Sequence, residues 1–414
     1  MEKDEDLYKD YNIITTIKED NESALYESVD KLNDIGGIIF IDTPIINISI
    51  KFPIRLLNSI KGGIIGMKQS NGEFPRIDFK NSRDANGYNY GIVIKGENQF
   101  VKYLIIENSS NHGIFIRGKN NILDHVISRY NSNSGIQISK GAENNIINYC
   151  YSYRNCDIKN YGKNADGFSP KLNSKNTTFN YCFSWDNSDD GFDSYDKEGD
   201  NSHTVTYNHC ACWNNGNPEV FIGKYDYDNG KALDKNMLSI QHLINSDKDF
   251  EKNYNNKKYN IDNGKIIGLK ASEWINLAHF HMSGNGYKLG SFITPKSPQV
   301  KRTADYCIAF DHKSKGFDNN HTENCTGSFT NCVSFNNRIN YKLPYNFNKW
   351  YNNWSWGAKK RDIELTKETI KRPGNINLAI KLFYEIRDKI IETVYENKFP
   401  DDINFDKAIK NLSQ

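Results

Sequence analysis

A two-part repeat recurs along the chain and limits its fold more than any other feature. The first part is a cysteine, any residue, a small residue, an aromatic residue, any residue, and then asparagine or histidine. The second part is a glycine followed by an apolar or aromatic residue, as in Gly191-Phe192. Such internal repetition is typical of coiled or stacked architectures. The copies of the first part are CYSYRN (150–155), CFSWDN (182–187), CACWNN (210–215), CIAFDH (307–312) and CVSFNN (332–337).

The repeat predicts an all-β fold, the coils of a parallel β-helix. Each copy contributes short strands that polar turns separate, at intervals of about two to three dozen residues and without helices between them. The repeat cysteines share one position among apolar neighbours, so we expect a column of small buried side chains rather than disulfides or metal ligands. Asparagine tolerates the left-handed backbone of tight turns, so we expect an asparagine ladder at the turns. Its members would be Asn131, Asn155, Asn187, Asn215 and Asn337.

Helical segments are predicted at both ends of the β-helix, which we assign to residues 1–345. Residues 22–33 place Leu25, Val29 and Leu32 on one face of a helix that can cap the open end. Residues 346–414 are predicted to be a C-terminal helical extension packed on the body. Its main helix would bury a face that recurs every four residues, namely Leu378, Leu382, Ile386, Ile390 and Val394.

A polar segment, residues 217–283, interrupts the repeat and is predicted to be a long loop insertion. Loops of this length are usually functional, and a solvated insertion without a role is the alternative. The formal net charge of +2 provides no global field that would recruit nucleic acid, so an anionic partner must be held by local features. The segment MEKDEDLYKD lacks the basic and apolar regions of a signal peptide, and no run approaches the length of a membrane span. We expect a monomer without a membrane partner, either secreted with its signal peptide absent from this chain or cytoplasmic.

Four aspartates coincide when the coils are aligned on the glycine of the repeat. Asp166 and Asp190 immediately precede that glycine, Asp189 comes one position earlier, and Asp193 lies two positions after it. Rungs of a parallel sheet are about 4.8 Å apart, so these carboxylates can converge. Their mutual repulsion would be relieved by Ca²⁺, which takes about six to eight oxygen ligands in irregular geometry. Mg²⁺ suits such a site less well, zinc lacks matching ligands, and a solvated acidic turn is the alternative.

A lysine occupies the same aligned position as Asp193. If the insertion leaves the β-helix and returns at Gly284, Lys288 stands on the rung next to Asp193. A lysine beside a bound dication should have a lowered pKa, which a general base needs. A salt bridge between Lys288 and a metal-free aspartate cluster is the alternative. The aligned position, two after the glycine, is held in turn by Gln137, Ser169, Asp193, Lys288 and Asp318.

Several motifs, in order, resemble polysaccharide lyase family 9, the pectate lyases built on a right-handed parallel β-helix. The likeness extends from about Asn98 to Tyr341. This chain departs from the usual family pattern at Tyr287, where Phe is common, at Ser291, where Gly is common, and in its long insertion. The matching segments are NADGF (164–168), NSDDGFD (187–193), GNGYKLG (284–290), CIAFDHKSKGFDNN (307–320) and NCVSFNNRINY (331–341).

The resemblance implies a calcium-dependent lyase that cleaves pectate or a related uronic-acid polymer by β-elimination. Lys288 would be the Brønsted base, and the four aspartates Asp166, Asp189, Asp190 and Asp193 would bind calcium. Further cations are candidates for holding the carboxylates of an acidic polysaccharide, with Lys315 first because of its place in the KGFD motif. These candidates are Lys315, Arg302, Lys313 and Lys171.

Two other functions remain possible on the same fold. A glycoside hydrolase would place an acid and a second carboxylate at the cleavage point, but Lys288 would then have no clear role. We also find no GHG-type histidine motif, and we interpret His312 and His321 as structural. A non-catalytic, calcium-stabilised glycan-binding protein is the second alternative. The presence of Lys288 together with all four aspartates argues against it.

Overall fold

The structure is a computed structural model that describes residue 8 and residues 11–412, with gaps. The gaps are residues 83–88, 140, 158–162, 173, 196–202, 218, 291–299, 321–324, 344–346, 361–369 and 404. Within 223–283 only four strands of two or three residues are described. His321 and most of the predicted insertion therefore lie outside the described residues.

The described residues form strands β1–β32 and helices α1–α4. The helices are α1 (Glu22–Ile35), α2 (Glu219–Ile222), α3 (Ile376–Tyr395) and α4 (Phe405–Asn411). The first strands are β1 (Ile13–Ile17), β2 (Gly37–Ile41), β3 (Ile45–Asn47), β4 (Ile54–Leu56), β5 (Gly62–Gly66), β6 (Arg76–Asp78), β7 (Ile92–Ile94), β8 (Gln99–Glu107), β9 (Ile114–Ile116), β10 (Ile122–Arg129), β11 (Ile136–Ile138), β12 (Ile146–Asn148), β13 (Tyr151–Tyr153), β14 (Phe168–Pro170), β15 (Thr177–Asn180) and β16 (Phe183–Trp185). The remaining strands are β17 (Phe192–Asp193), β18 (Thr204–Asn208), β19 (Ala211–Trp213), β20 (Tyr225–Asp226), β21 (Lys231–Ala232), β22 (Asn260–Asp262), β23 (Lys265–Ile267), β24 (Tyr287–Lys288), β25 (Val300–Asp305), β26 (Ile308–Phe310), β27 (Lys315–Asp318), β28 (Cys325–Thr330), β29 (Val333–Phe335), β30 (Ile339–Lys342), β31 (Phe347–Tyr351) and β32 (Trp354–Trp356).

Three stacks of parallel strands form the walls of a parallel β-helix, as predicted. The first, here called the site sheet, runs in the order β4, β7, β9, β11, β14, β17, β24, β27 and β30. The second stack contains β12, β15, β18, β25, β28 and β31, and the third contains β13, β16, β19, β26, β29 and β32. The long strands β8 and β10 join the second and third stacks, because β8 pairs along the whole of β10 and β10 pairs with both β12 and β13.

Equivalent residues of successive coils stack directly on one another inside the β-helix. Phe168, Phe192, Tyr287, Phe317 and Tyr341 are in register on the site sheet, and their rings stack with centroids 4.6–5.2 Å apart. Tyr287 keeps this stack and donates its hydroxyl to the Cys210 carbonyl at 2.8 Å. The departure from Phe at this position therefore leaves no buried polar group unsatisfied. The predicted column of buried, unbridged cysteines is confirmed for Cys150, Cys182, Cys210, Cys307 and Cys332.

The predicted asparagine ladder is confirmed, but its backbone explanation is wrong. All five ladder side chains are buried. Asn131, Asn155 and Asn187 each donate to the next ladder position, as from Asn155 Nδ2 to Asn187 Oδ1 at 2.8 Å, whereas Asn215 Nδ2 donates to the Ser184 carbonyl and Asn337 Nδ2 to Asn340 Oδ1. His312 continues the ladder, since its Nδ1 accepts from the Asn215 N–H at 3.2 Å. The left-handed residue is the one before each ladder position, such as Asp186 with φ 57°. The ladder asparagines are thus selected for their side-chain hydrogen bonds, not for their backbone conformation.

The two parts of the repeat meet at the glycine of the site sheet. A Cβ added to Gly167 would lie 1.9 Å from Ser184 Oγ, the small residue of the next copy. Ser152, the small residue of the preceding copy, donates its hydroxyl to the Gly167 carbonyl at 2.8 Å. A small residue and a glycine therefore recur together because each occupies the space that a larger side chain at the other position would need.

The two predicted helical segments are present. Helix α1 begins at its N-cap Asn21, whose side chain accepts from the Ala24 N–H at 2.9 Å, and it buries Leu25, Val29 and Leu32 as expected. Helix α3 buries only part of the predicted face, because a spacing of four residues drifts around a helix of 3.6 residues per turn. Ile390 and Val394 are buried as predicted. Its buried residues are Ala379, Phe383, Ile390 and Val394, whereas Leu378 is 50% exposed and Leu382 and Ile386 are partly buried.

The body of the β-helix continues past residue 345. Strands β31 and β32 lie in the segment predicted to be helical, and they pair in parallel with β28 and β29.

The predicted insertion leaves the coils at Gly216 and returns to them at Gly284. The backbones of these two glycines are in contact, since a Cβ on Gly216 would lie 2.3 Å from Gly284 Cα. In the part of the chain that is described, no helix has the length and apolar character needed to cross a membrane.

Candidate active site

The outward-facing column of the site sheet carries the predicted functional residues in the predicted register. Gln137 pairs with Ser169 between β11 and β14. Further along the β-helix, Asp193 pairs with Lys288 and Lys288 pairs with Asp318. Lys288 therefore stands on the rung next to Asp193 although 95 residues separate them in sequence. The insertion leaves the stacking of the site sheet intact.

Three of the four predicted metal ligands converge on one point. One carboxylate oxygen from each of Asp166, Asp190 and Asp193 lies within 4.8 Å of the others, and all three side chains are buried. Asp190 Oδ1 accepts from the Asn285 N–H at 2.7 Å and from Asn285 Nδ2 at 2.8 Å. Asp193 Oδ1 accepts from the Tyr195 N–H at 2.9 Å. These hydrogen bonds hold Oδ1 of Asp190 and Oδ1 of Asp193 in place. Oδ2 of each carboxylate faces the cluster, where it lies near Lys288.

Asp189 lies outside this group of three. Its Oδ2 accepts from the Asn164 N–H at 2.9 Å, which ties the turn before Asp166 to the next coil. Its charge still acts on the cluster, because it raises the pKa of Asp190. The structure thus brings together three of the four predicted ligands and gives the fourth a contact with the backbone.

Two lysines compensate the charge of the carboxylates. Lys288 Nζ lies 3.1 Å from Asp193 Oδ2 and 3.3 Å from Asp190 Oδ2. Lys171 Nζ lies 2.7 Å from both Asp166 Oδ2 and Asp193 Oδ2. Lys171 was predicted to hold a substrate carboxylate, and in the structure it binds the aspartates instead. The reason is its position on the turn after β14, from which a long side chain reaches back over the site sheet.

The carboxylates differ in pKa because they share the lysines unequally. Burial raises the pKa of Asp166 well above its ordinary value, and its one lysine contact does not offset this. Burial and the charge of Asp189 raise the pKa of Asp190 to about 7. Burial also acts to raise the pKa of Asp193, but Lys171 and Lys288 outweigh it and hold that pKa at about 2. The cluster therefore carries a stable negative charge at Asp193 and readily protonated groups beside it.

A bound dication was predicted to lower the pKa of Lys288, and the carboxylates of the cluster act in the opposite direction. Burial alone would lower the pKa, but the charges of Asp193 and Asp190 outweigh it and raise it. These carboxylates are therefore ion-pair partners of Lys288.

The donor set of the cluster fits a hard cation. It consists of carboxylate oxygens, and within the described residues neither histidine nor cysteine joins the group. With every carboxylate ionised, the four aspartates and two lysines would leave two uncompensated negative charges, which one dication would balance. Oxygen ligands in irregular geometry are typical of calcium sites.

The remaining predicted substrate-binding cations have different environments. Arg302 is wholly buried in the β-helix, where its guanidinium donates to Ser194 and to the His203 carbonyl at 2.7–2.8 Å. The prediction that Arg302 contacts substrate is therefore wrong, because its side chain points into the wall between two coils. Lys313 lies on an exposed turn. Lys315 belongs to the site sheet and contacts Asp318 Oδ2 at 2.6 Å.

Sequence reasoning missed Asn285 as a residue of the site. Asn285 immediately precedes Gly286, so it holds the aligned position of Asp166 and Asp190 on the next coil. It is buried, and its side chain and backbone both bind Asp190 Oδ1. The alignment on the glycine places Asn285 in this column, but an amide has no charge that would mark it as a metal ligand or a base.

Comparison with known proteins agrees with this architecture. A family model described as "Pel9A-like, right handed beta helix region" matches residues 18–236. The chain is similar to the crystal structure of pectate lyase Pel9A, with 20% identity and a TM-score of 0.65 over 95% of this chain and 88% of that one. It is also similar to a rhamnogalacturonan lyase, with 15% identity and a TM-score of 0.60 over 97% of this chain and 99% of that one. No curated protein matches the chain in sequence. At these identities the two structural likenesses show a common fold.

Proposed function

Because the chain belongs to the Pel9A-like right-handed β-helix family, we propose that it is a calcium-dependent polysaccharide lyase. Its substrate would be polygalacturonate or a related uronic-acid polymer, cleaved by β-elimination with Lys288 as the base. The observation that carries this proposal is the contact of Lys288 Nζ with Asp190 and Asp193 at 3.1–3.3 Å. A basic group and a set of metal-binding oxygens then face the same point. The two structures of similar fold, a pectate lyase and a rhamnogalacturonan lyase, support an acidic polysaccharide as substrate.

The elimination needs a base and a way to stabilise negative charge. Lys288 Nζ would accept the proton from carbon 5 of the uronate, and the electron pair of that bond would form the double bond between carbons 4 and 5. The bond from carbon 4 to the glycosidic oxygen would break, and the departing oxygen would take a proton from water. When bound at Asp166, Asp190 and Asp193, calcium supplies positive charge for the substrate carboxylate and for the charge that develops at carbon 5.

Lys288 can accept this proton only when it is neutral. The neighbouring carboxylates by themselves raise the pKa of Lys288, so a dication that offsets their charge would favour the neutral form. Asn285 and Tyr195 keep Asp190 and Asp193 in place through bonds to their other oxygens. Lys171 Nζ lies 2.7 Å from both Asp166 Oδ2 and Asp193 Oδ2 and would thereby hold these two carboxylates in position.

The geometry disfavours a glycoside hydrolase. A hydrolase needs one carboxyl group as proton donor and a second as base or nucleophile. Here two lysines bridge the carboxylates of the cluster and hold the pKa of Asp193 at about 2, so Asp193 cannot act as the proton donor. A non-catalytic glycan-binding protein would not require a lysine inside the carboxylate cluster. A secreted location is part of the proposal, because polymeric uronates of this kind are met outside the cell.

Incubation with polygalacturonate and calcium tests the proposal. A lyase generates unsaturated, ultraviolet-absorbing ends, and this absorbance should grow with time and vanish on chelation. Reducing ends that form without the absorbance would identify a hydrolase. Binding without either product would identify a glycan-binding protein. Rhamnogalacturonan should be assayed in parallel, because unsaturated product from only one polymer would define the substrate.

A further inference from the structure

Asp318 is a buried carboxylate on the outer face of the site sheet, one rung beyond Lys288. It follows Phe317, which points into the core, and it pairs in register with Lys288. Its side chain is 1% exposed. Among the described residues, Asp318 Oδ2 is bound by Lys315 Nζ at 2.6 Å, while Oδ1 has no hydrogen-bond partner. A buried carboxylate oxygen without a partner is costly, so a ligand that donates a hydrogen bond to it would remove this cost.

The charge of this rung is opposite to that of the metal cluster. Lys315 contacts Asp318, and Lys342 lies in register with Asp318 on the next rung. Among the described residues, this part of the site sheet contributes one carboxylate and two ammonium groups, whereas the neighbouring cluster contributes more carboxylates than ammonium groups. A second dication is therefore disfavoured here, and an anionic group is favoured.

The spacing of the rungs matches a chain of sugars that runs along the β-helix axis. Rungs lie about 4.8 Å apart, which is close to the length of one sugar residue in an extended polysaccharide. A polymer whose reacting uronate lies at Lys288 would then place the adjoining residue near Asp318 and Lys315. The Lys315 and Lys288 side chains are each 19% exposed, so the ammonium group of Lys315 is as accessible as the base, with Asp318 buried beneath it.

We propose that Asp318, Lys315 and Lys342 form a subsite for the uronate residue adjoining the one that reacts. Asp318 Oδ1 accepts a hydrogen bond from a hydroxyl of that sugar, and the two lysines hold its carboxylate. Asp318 also orients Lys315 through the contact at 2.6 Å. The subsite rests on the proposed lyase function and adds to it a residue that sets the preference for consecutive uronates.

Substrate length provides the test. With calcium present, oligogalacturonates of graded length should be cleaved by the wild type, by Asp318→Ala and by Lys315→Met. The variants should raise KM about 10- to 100-fold for substrates long enough to fill the subsite, with kcat little changed. The shortest cleavable substrates should show a much smaller effect. A merely structural role would impair all lengths equally.

Binding without turnover gives a second readout. In a Lys288→Ala background, the affinity for saturated oligogalacturonates can be measured by calorimetry. Replacing Asp318 in this background should weaken the affinity by the same factor by which it raises KM. Asp318→Asn keeps the side-chain volume and serves if the alanine variant does not fold. Asp305→Ala is the matched control, because Asp305 binds Thr330 and Asn331 on another wall of the β-helix, and it should leave affinity unchanged.

The outcomes separate this subsite from the proposed function. If the wild type forms unsaturated ends but Asp318→Ala binds long oligogalacturonates as tightly as the wild type, the subsite is wrong and the lyase stands. An equal loss for all substrate lengths also overturns the subsite. A wild type that yields no unsaturated product from any uronate polymer overturns both proposals.

Discussion

Replacing Lys171 with methionine should make the protein depend on calcium for its stability. The methionine keeps most of the side-chain length but removes the ammonium group that lies 2.7 Å from Asp166 and Asp193. Both carboxylates are buried, and removing one partner of a buried ion pair costs about 3–5 kcal/mol. The cluster would also gain a third uncompensated negative charge.

The size of this effect can be expressed as a shift in the unfolding midpoint. An unfolding entropy of about 2.1 cal/mol/K per residue gives about 0.9 kcal/mol/K for the 414 residues of this chain. The metal-free Lys171→Met variant should therefore melt about 3–6 °C below the wild type. With saturating calcium the deficit should shrink, because a dication supplies the missing charge. Calcium should also bind the variant more tightly, since Lys171 no longer competes for the same oxygens.

Thermal unfolding in chelator and in a calcium series, together with calcium binding by calorimetry, measures both effects. Lys315→Met is the matched control: it also loses a close ion pair, at 2.6 Å to Asp318, but outside the metal cluster. Its calcium-dependent gain in stability should equal that of the wild type. If Lys171→Met has the wild-type midpoint in chelator and the wild-type calcium affinity, Lys171 does not compensate the cluster.

Three further predictions follow from the same contacts. Lys288→Ala should lower kcat about 10²- to 10⁴-fold without weakening calcium binding, because Lys288 contacts the same oxygens of Asp190 and Asp193; steady-state rates on polygalacturonate check this, and undiminished activity would remove Lys288 from the mechanism. Calcium affinity should rise between pH 5 and pH 8, because the pKa of Asp190 is about 7 in the metal-free protein against an ordinary 3.8, so that calcium must displace a proton. The same shift means that the metal-free folded state binds more protons than the unfolded one in this window. Its free energy of unfolding should therefore fall as the pH rises through it, and calorimetry or unfolding curves independent of pH would contradict this. Asn187→Ala should cost about 2–6 kcal/mol by leaving two buried donors of Asn155 unsatisfied. Asn180 belongs to a second, partly buried row, in which it donates to Asn148 and accepts from Asn208, so Asn180→Ala should cost less than about 1 kcal/mol, as denaturant unfolding would show.

The register of the site was predictable because parallel coils place equivalent residues directly above one another. Aligning the glycines put Asp193, Lys288 and Asp318 in one column, and the structure pairs them in that order. The long insertion did not disturb the alignment, since Gly216 and Gly284 bring the chain out and back at one point. A repeat fixes the positions of its residues through backbone pairing, independently of what the loops between coils do.

The partners of long side chains were not predictable in this way. The rung of Lys171 follows from the sequence, but the direction in which its flexible side chain extends does not. In the structure this side chain reaches Asp166 and Asp193. Arg302 follows Lys301 on β25, and only the packing of the coil wall shows that Arg302 is buried while Lys301 is exposed. Asp189 differs from Asp190 by one position, and that step turns its carboxylate towards the Asn164 backbone.

In the proposed mechanism the same carboxylates serve the metal and the base, which makes the two roles interdependent. Asp190 and Asp193 hold the Lys288 proton at 3.1–3.3 Å in the metal-free protein. Those oxygens cannot stabilise the ammonium group fully and also balance a dication, because one negative charge offsets only one positive charge. Calcium binding at this cluster should therefore lower the pKa of Lys288 from its raised value. Loss of calcium would remove the charge that stabilises carbon 5 and would also return the base to its protonated form. A more alkaline solution could restore only the second of these, so high pH alone should not rescue the metal-free enzyme.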